Sequence, residues 1–187
     1  MVRDQIISAG IRVFSQKGYH ETGMDEIARL AGVAKGSLYY NFQSKSDLFA
    51  VIVSEGISEL HRQIEQVIAR GNSIQEIMDG LIKANLQACQ DYPELVDLIM
   101  REQVSGLDPD AADRVQQAKN QYIRFISNLL EQGMREGILR RGDSISMASA
   151  YLVFLHAYYK TASRAGMPLE QMVRETSDLV MKGLSLA

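Results

Sequence analysis

Lys35, Gly36, Ser37, Tyr39 and Tyr40 stand together in the stretch GVAKGSLYYNFQSK and have the clearest chemistry to offer. A lysine and two tyrosine hydroxyls can hydrogen-bond phosphate, a serine can reach a base edge, and a ring can contact a thymine methyl. Gly36 permits close approach of a second backbone. Side by side on a short helix, two tyrosines suit either an outward surface that meets DNA or the cover of a neighbouring helix.

Elements that would position such a set are readable around it. A helix-turn-helix needs a small residue where its helices cross, a turn residue tolerant of positive φ, and an apolar anchor on the second helix; Ala28, Gly32 and Leu38 supply these in order. Ile7, Ile11 and Phe14, with Ile6 and Val13 beside them, predict a first helix over about residues 3–17 that stops at Gly18. Thr22 is placed to cap a second helix, with Asp25 completing a capping box and Ile27, Leu30 and Ala31 facing inward. A third short helix follows Val33 to about Tyr40, and Ser44 with Asp47 opens a long fourth that reaches about Arg70.

From Ser73 onward amphipathic blocks follow one another, and Pro93, Pro109 and Pro168 each stand where a new helix begins. The expected fold is all-α with about nine helices: a helix-turn-helix DNA-binding domain over residues 1–47, then a larger helical effector-binding and dimerisation domain over 48–187. With 46% apolar residues the chain can build a core. Its net charge of −3 divides into +1 over residues 1–47 and −4 beyond, so a local basic face is compatible with an acidic whole. The single cysteine, Cys89, cannot form an internal disulfide, no signal peptide is evident, and charges interrupt every candidate membrane span. A cytoplasmic setting with no membrane partner is expected.

Residues 14–48 resemble the DNA-binding domain of the TetR family of bacterial transcriptional regulators. The resemblance is carried by Gly18-Tyr19, Thr22, Ile27-Ala28, Ala31-Gly32-Val33, Gly36, Leu38-Tyr39-Tyr40, Phe42 and Ser44-Lys45, and covers about a quarter of the chain. It implies DNA contacts from Thr22, Ala34, Lys35, Gly36, Ser37, Tyr39, Tyr40 and Lys45, with Tyr39 and Lys45 mostly on phosphate. Asn41 stands where the family often has histidine, and its shorter side chain alters that contact. Gly23 replaces a frequent hydroxyl residue, so only its backbone N–H is left to meet a phosphate.

The resemblance further implies a homodimer built on the last two helices and a small-molecule pocket within residues 48–165. Leu169, Met172, Val173, Thr176, Leu179, Val180 and Gly183 form one wide stripe, and Leu152, His156 and Tyr159 share a face of the preceding helix. Large or polar inward residues give the pocket candidates: Met78, Leu81, Asn85, Met100, Gln103, Tyr122, Phe125, Tyr151, Phe154 and Tyr158. They suit an effector that is mainly apolar or aromatic. Histidines 20, 61 and 156 lie far apart with no ligand-spaced Cys or carboxylate, and no nucleophile–base or phosphate-loop motif occurs, so no metal, cofactor or catalytic residue is assigned and the chain is not read as an enzyme. The expected function is a sequence-specific DNA-binding regulator, a repressor released from a palindromic operator by its effector. The alternative is a dimeric small-molecule-binding protein whose N-terminal domain contacts proteins; steep salt dependence of binding would mark the DNA reading.

Overall fold

The computed structural model describes residues 1–69, 73–100 and 106–184. Nine helices occur among the described residues: α1 Val2–Glu21, α2 Met24–Ala31, α3 Lys35–Asn41, α4 Lys45–Ile68, α5 Ile74–Asp91, α6 Pro93–Met100, α7 Pro109–Arg135, α8 Ser144–Arg164 and α9 Leu169–Leu184. Pro93 and Pro109 occupy the first positions of α6 and α7, and Pro168 immediately precedes α9, where a missing N–H costs nothing. The chain forms two compact units, one of Met1–Ser58 with Pro93–Lys119 and one of Glu59–Tyr92 with Asn120–Ala187.

In the first unit α1 buries Ile6, Ala9, Gly10, Val13 and Phe14, while Ile7 and Ile11 are only half-buried. The stripe is therefore rotated from the expected one, and Gly10 explains why. A Cβ there would stand 2.8 Å from Ile52 Cδ1 and 3.5 Å from Leu48 Cδ2, so the bare backbone is what lets α4 seat against α1. Gly18, at φ 79° and ψ 174°, breaks the helix where the sequence predicts a stop, and a final turn carries Tyr19 back into the core. Phe14, Tyr19 and Phe49 meet there, with Phe14 and Phe49 edge to face at 5.2 Å between ring centroids. α6 lies on α1: the Ser15 hydroxyl donates to the Glu94 carbonyl at 2.8 Å.

The second unit centres on α5, which packs against α8 and α9. Ile74, Ile77, Met78, Leu81, Ile82 and Leu86 form its buried face at helical spacing. Ser73 caps the helix by accepting from the Glu76 N–H, and Asp143 caps α8 by accepting from Ser146 N–H at 2.7 Å. Hydrogen bonds from Ser146, first from its hydroxyl and then from its N–H, hold the Asp143 carboxyl below the usual range. No helix among the described residues is long and apolar enough to cross a membrane.

Candidate nucleic-acid interface

The turn between α2 and α3 is fixed by backbone chemistry. Gly32 takes the left-handed conformation at φ 67° and ψ 29°, and the Val33 N–H returns to the Ala28 carbonyl at 3.0 Å, closing α2 as a Schellman turn does. α3 then leaves with Leu38 fully buried and the opposite face outward. On that face Tyr40 is 90% exposed and Tyr39 43%, values no core aromatic would show. Ala34, Lys35 and Gly36 are exposed beside them, and Ser37 is half-buried. A Cβ built on Gly36 or Gly23 would meet nothing within 4 Å, so neither glycine is demanded by the protein's own packing. Lys35 pairs with Asp25 of α2 at 2.8 Å, an exposed contact that a phosphate can displace.

Three of the expected contact residues are already engaged by the protein. Thr22 does not cap α2. Its hydroxyl donates to the Gly18 carbonyl at 2.6 Å, its side chain is buried, and Gly23 is the N-cap with no side-chain hydrogen bond. The positive φ at Gly18 frees the carbonyl that this hydroxyl satisfies, which explains why the local bond to residue i−4 wins over capping. The Asn41 amide donates to the Ser37 carbonyl at 2.7 Å within α3.

Lys45 reaches back to the end of α1. Its ammonium donates to the carbonyls of His20 at 3.2 Å and Thr22 at 3.0 Å and lies 4.6 Å from the Tyr19 ring centroid. A cation among helix-end carbonyls and over an aromatic face is stabilising. Lys45→Met is accordingly expected to lower stability by about 1–2 kcal/mol, read from denaturant midpoints at constant m-value. A loss under a few tenths would show that the ammonium is not held there.

The first turn of α4 is clamped by residues that sequence reading did not connect. Asp47 accepts from the Gln43 N–H at 3.0 Å and from the Arg114 guanidinium at 2.8 Å, while its own N–H donates to the Ser44 hydroxyl at 3.0 Å. The Asp108 N–H donates to the Ser46 hydroxyl at 3.2 Å, and Ser46 shares a 2.6 Å hydrogen bond with the Tyr19 hydroxyl. The residues that begin α7 thereby tie α4 to α1 and to the end of α3. Ser44 and Asp47 did signal the helix start, as expected.

A family model described as "Bacterial regulatory proteins, tetR family" matches residues 6–52, which span α1, the whole helix-turn-helix and the clamped start of α4. Over these residues the chain carries a tetR-family DNA-binding domain. The fatty acid metabolism regulator protein of Bacillus subtilis is 22% identical over 144 residues, covering 77% of this chain and 74% of its own. The transcriptional repressor KstR2 of Mycolicibacterium smegmatis is 24% identical over 150 residues, covering 80% and 73%. In fold, the chain is similar to the fatty acid degradation regulator FadR of Bacillus halodurans, with TM-score 0.80, 20% identity and coverage of 96% and 94%. AibR, solved with isovaleryl coenzyme A and operator DNA, matches with TM-score 0.82 at 21% identity over 96% and 97% of the two chains. The chain is a DNA-binding transcriptional regulator of the tetR type, and the relatives named here are regulators by name.

Of the expected pocket residues, Met78, Leu81, Asn85, Tyr122 and Tyr151 are buried in the second unit. Phe125, Phe154 and Tyr158 there are half-buried. Phe154 stacks on Tyr158, whose hydroxyl donates to Glu175 of α9 at 2.9 Å. Met100 is half-buried at the end of α6 in the first unit, and Gln103 lies outside the described residues. Tyr122 and Tyr151 have hydroxyl ionisation pushed well up by burial, and Tyr158 is raised to about 12, by burial first and then by Glu175. Raised folded-state values mean stability that is complete below the ordinary tyrosine value of about 10 and lost as pH climbs past it. An absorbance titration of the native protein should therefore give the same amplitude for wild type and Tyr151→Phe, with the difference of one tyrosine emerging only on unfolding. A native-state difference between pH of about 9 and 11 would refute that burial.

Among the expected dimer residues, Leu152, His156, Tyr159, Leu169, Val173 and Val180 are half-buried and Leu179 and Gly183 exposed. Met172 and Thr176 are buried inside their own subunit, on the side of α9 that packs on α5. Val153, which was not expected, is 58% exposed, the same as Leu179. It lies one turn before His156 and extends that face of α8.

Proposed function

We propose that this regulator is a cytoplasmic repressor. Residues 1–47 hold a palindromic operator through α3, and a mainly apolar or aromatic effector bound within residues 48–165 causes release. The outward face of α3 carries the reading: Lys35, Gly36, Tyr39 and Tyr40 stand free of the core on a helix aimed by Gly32. A helix of seven residues reads only a few base pairs, so a homodimer presents two copies roughly one helical turn apart, about 34–36 Å. The names of the relatives, which include a fatty acid metabolism regulator and a protein solved with isovaleryl coenzyme A, support an acyl-type or similarly apolar effector. Tyr39, Tyr40, Lys35, Gly36, Ser37, Ala34 and the Gly23 backbone are assigned to DNA, with Lys45, Thr22 and Asn41 shaping the same surface from within. Leu152, Val153, His156 and Leu179 are assigned to the dimer.

The test is to incubate the protein with fragmented genomic DNA from its own source, sequence what is retained, and repeat with the Lys35→Ala, Tyr39→Ala double variant. A palindromic site enriched by wild type and lost in the variant supports the reading. No enrichment at low salt overturns it in favour of protein partners.

The clamp on α4 supplies a route by which release can reach α3. Arg114→Ala removes a partly exposed ion pair and should lower stability by no more than about 1 kcal/mol. It should nonetheless weaken operator binding about three- to tenfold, because Asp47 then loses the anchor that steadies Gln43 at the end of α3. Asp47→Asn should behave alike. Wild-type affinity in both variants would exclude the clamp from positioning α3.

A further inference from the structure

Arg3 stands in the first turn of α1, where the positive end of the helix dipole works against a cation. Its guanidinium donates to both carboxylate oxygens of Glu55 on α4, and the same group lies over the Phe42 ring, 5.7 Å from the centroid. A two-pronged arginine–carboxylate contact fixes direction as well as distance, which a lysine would not reproduce. Phe42 is 1% exposed and is the residue on which α3 ends, its N–H returning to the Leu38 carbonyl at 2.9 Å. One side chain of α1, held by α4, thus rests on the last residue of the DNA-facing helix.

The end of α3 needs such a support. Seven residues make only about two turns, too few to hold a helix by their own hydrogen bonds. Whereas α2 is stopped by the left-handed Gly32, α3 runs out into extended backbone at Phe42, φ −139° and ψ 119°, and no side chain caps its start. Its direction is therefore set by what anchors it: Leu38 in the core, the Gln43 N–H on Asp47, and Phe42 beneath Arg3. Tyr39 and Tyr40 lie in the last turn, so a tilt at that end displaces their rings first.

We propose that Arg3 is a positioning residue for operator recognition: oriented by Glu55, it fixes the C-terminal end of α3, and with it Tyr39 and Tyr40, without touching DNA itself. This rests on the reading of the chain as an operator-binding regulator. The Arg3 side chain is 43% exposed, so the competing role is a phosphate ligand that gives up Glu55 on binding. The two roles differ in sign at Glu55. A positioning arginine needs its carboxylate, whereas a phosphate ligand is released by losing it.

The experiment titrates full-length wild type, Arg3→Met, Glu55→Gln and the double variant over a range of salt. The probes are the genomic fragment that wild type retains and a scrambled duplex of the same composition. Arg3→Met keeps an apolar stem over Phe42, and both single variants should melt within about 4 °C of wild type, as loss of an exposed ion pair allows. Both are expected to bind the retained fragment about three- to tenfold more weakly, with the double variant no worse than the weaker single one. Affinity for the scrambled duplex and the slope of log affinity against log salt should not change. Tighter binding by Glu55→Gln, or a slope reduced by about 1 in Arg3→Met, would make Arg3 a phosphate ligand and overturn the positioning role. Equal losses on both duplexes overturn it too. Wild-type affinity in all three variants sinks this inference alone, and failure of the wild type to retain any fragment sinks the regulator reading and this inference with it.

Discussion

Gly36→Leu is expected to leave the protein folded and to weaken operator binding at least tenfold to a hundredfold, on the order of 1.4–2.8 kcal/mol. Gly36 lies in the first turn of α3 with no positive φ, and a side chain there points into open space. Within the protein, glycine is the poorer choice, since a residue with a Cβ gains about 0.5–1 kcal/mol of helix stability. Only an outside surface coming close to the α3 backbone gives the glycine a purpose. A duplex groove is such a surface, and a leucine at its floor would hold the helix off the base edges. Lys35→Ala should act differently: it removes one phosphate contact, lowers affinity for all sequences alike, and reduces the slope of log affinity against log salt by about 1. If Gly36→Leu melts no lower than wild type and retains operator affinity, α3 does not lie against the DNA at this point.

The helices and the outward face of α3 were readable because their causes are local. Gly32 in a left-handed turn, Leu38 beneath, and proline at helix starts act within a few residues, so periodicity and turn chemistry expose them. Thr22 was misread as a cap because two local bonds compete for its hydroxyl, and only the backbone break at Gly18 decides between them. The α4 clamp left no trace in the sequence. Its partners are 62 and 67 residues apart, and Asp108 and Arg114 look like ordinary solvated charges until the fold brings them to Ser46 and Asp47. Asn85, Tyr122 and Tyr151 stood out as large or polar residues on inward faces, yet nothing in their spacing shows that the Tyr122 hydroxyl donates to Asn85. On α9 the apolar stripe is wide enough to serve two sides, so Met172 and Thr176 could not be told from Leu179 before α5 was placed.

Phe49→Ala should be the most destabilising single change in the first unit, lowering stability by about 3–5 kcal/mol. Phe49 is 1% exposed and meets Phe14 at 5.2 Å and Tyr19 at 5.4 Å between ring centroids, both in edge-to-face geometry. Truncation removes two aromatic contacts and leaves a cavity in their place. Against a typical total of about 5–15 kcal/mol, a loss of that size leaves much of the population open. The consequence reaches the DNA face through Tyr19, whose hydroxyl bonds Ser46 and whose ring carries Lys45; once the ring is loose, the start of α4 loses two of its ties. Since the chain forms two compact units, one melting curve can blend two events, so amide hydrogen exchange is the better measurement. Protection over residues 1–58 should fall by the full amount while α5 and α8 stay protected. Tyr19→Phe keeps the ring and deletes only the bond to Ser46, so it should cost about 0.5–1.5 kcal/mol in the same residues. If Phe49→Ala lowers protection no more than Tyr19→Phe does, the aromatic cluster is not what joins α4 to α1, and the polar clamp around Ser46 and Asp47 carries that junction instead.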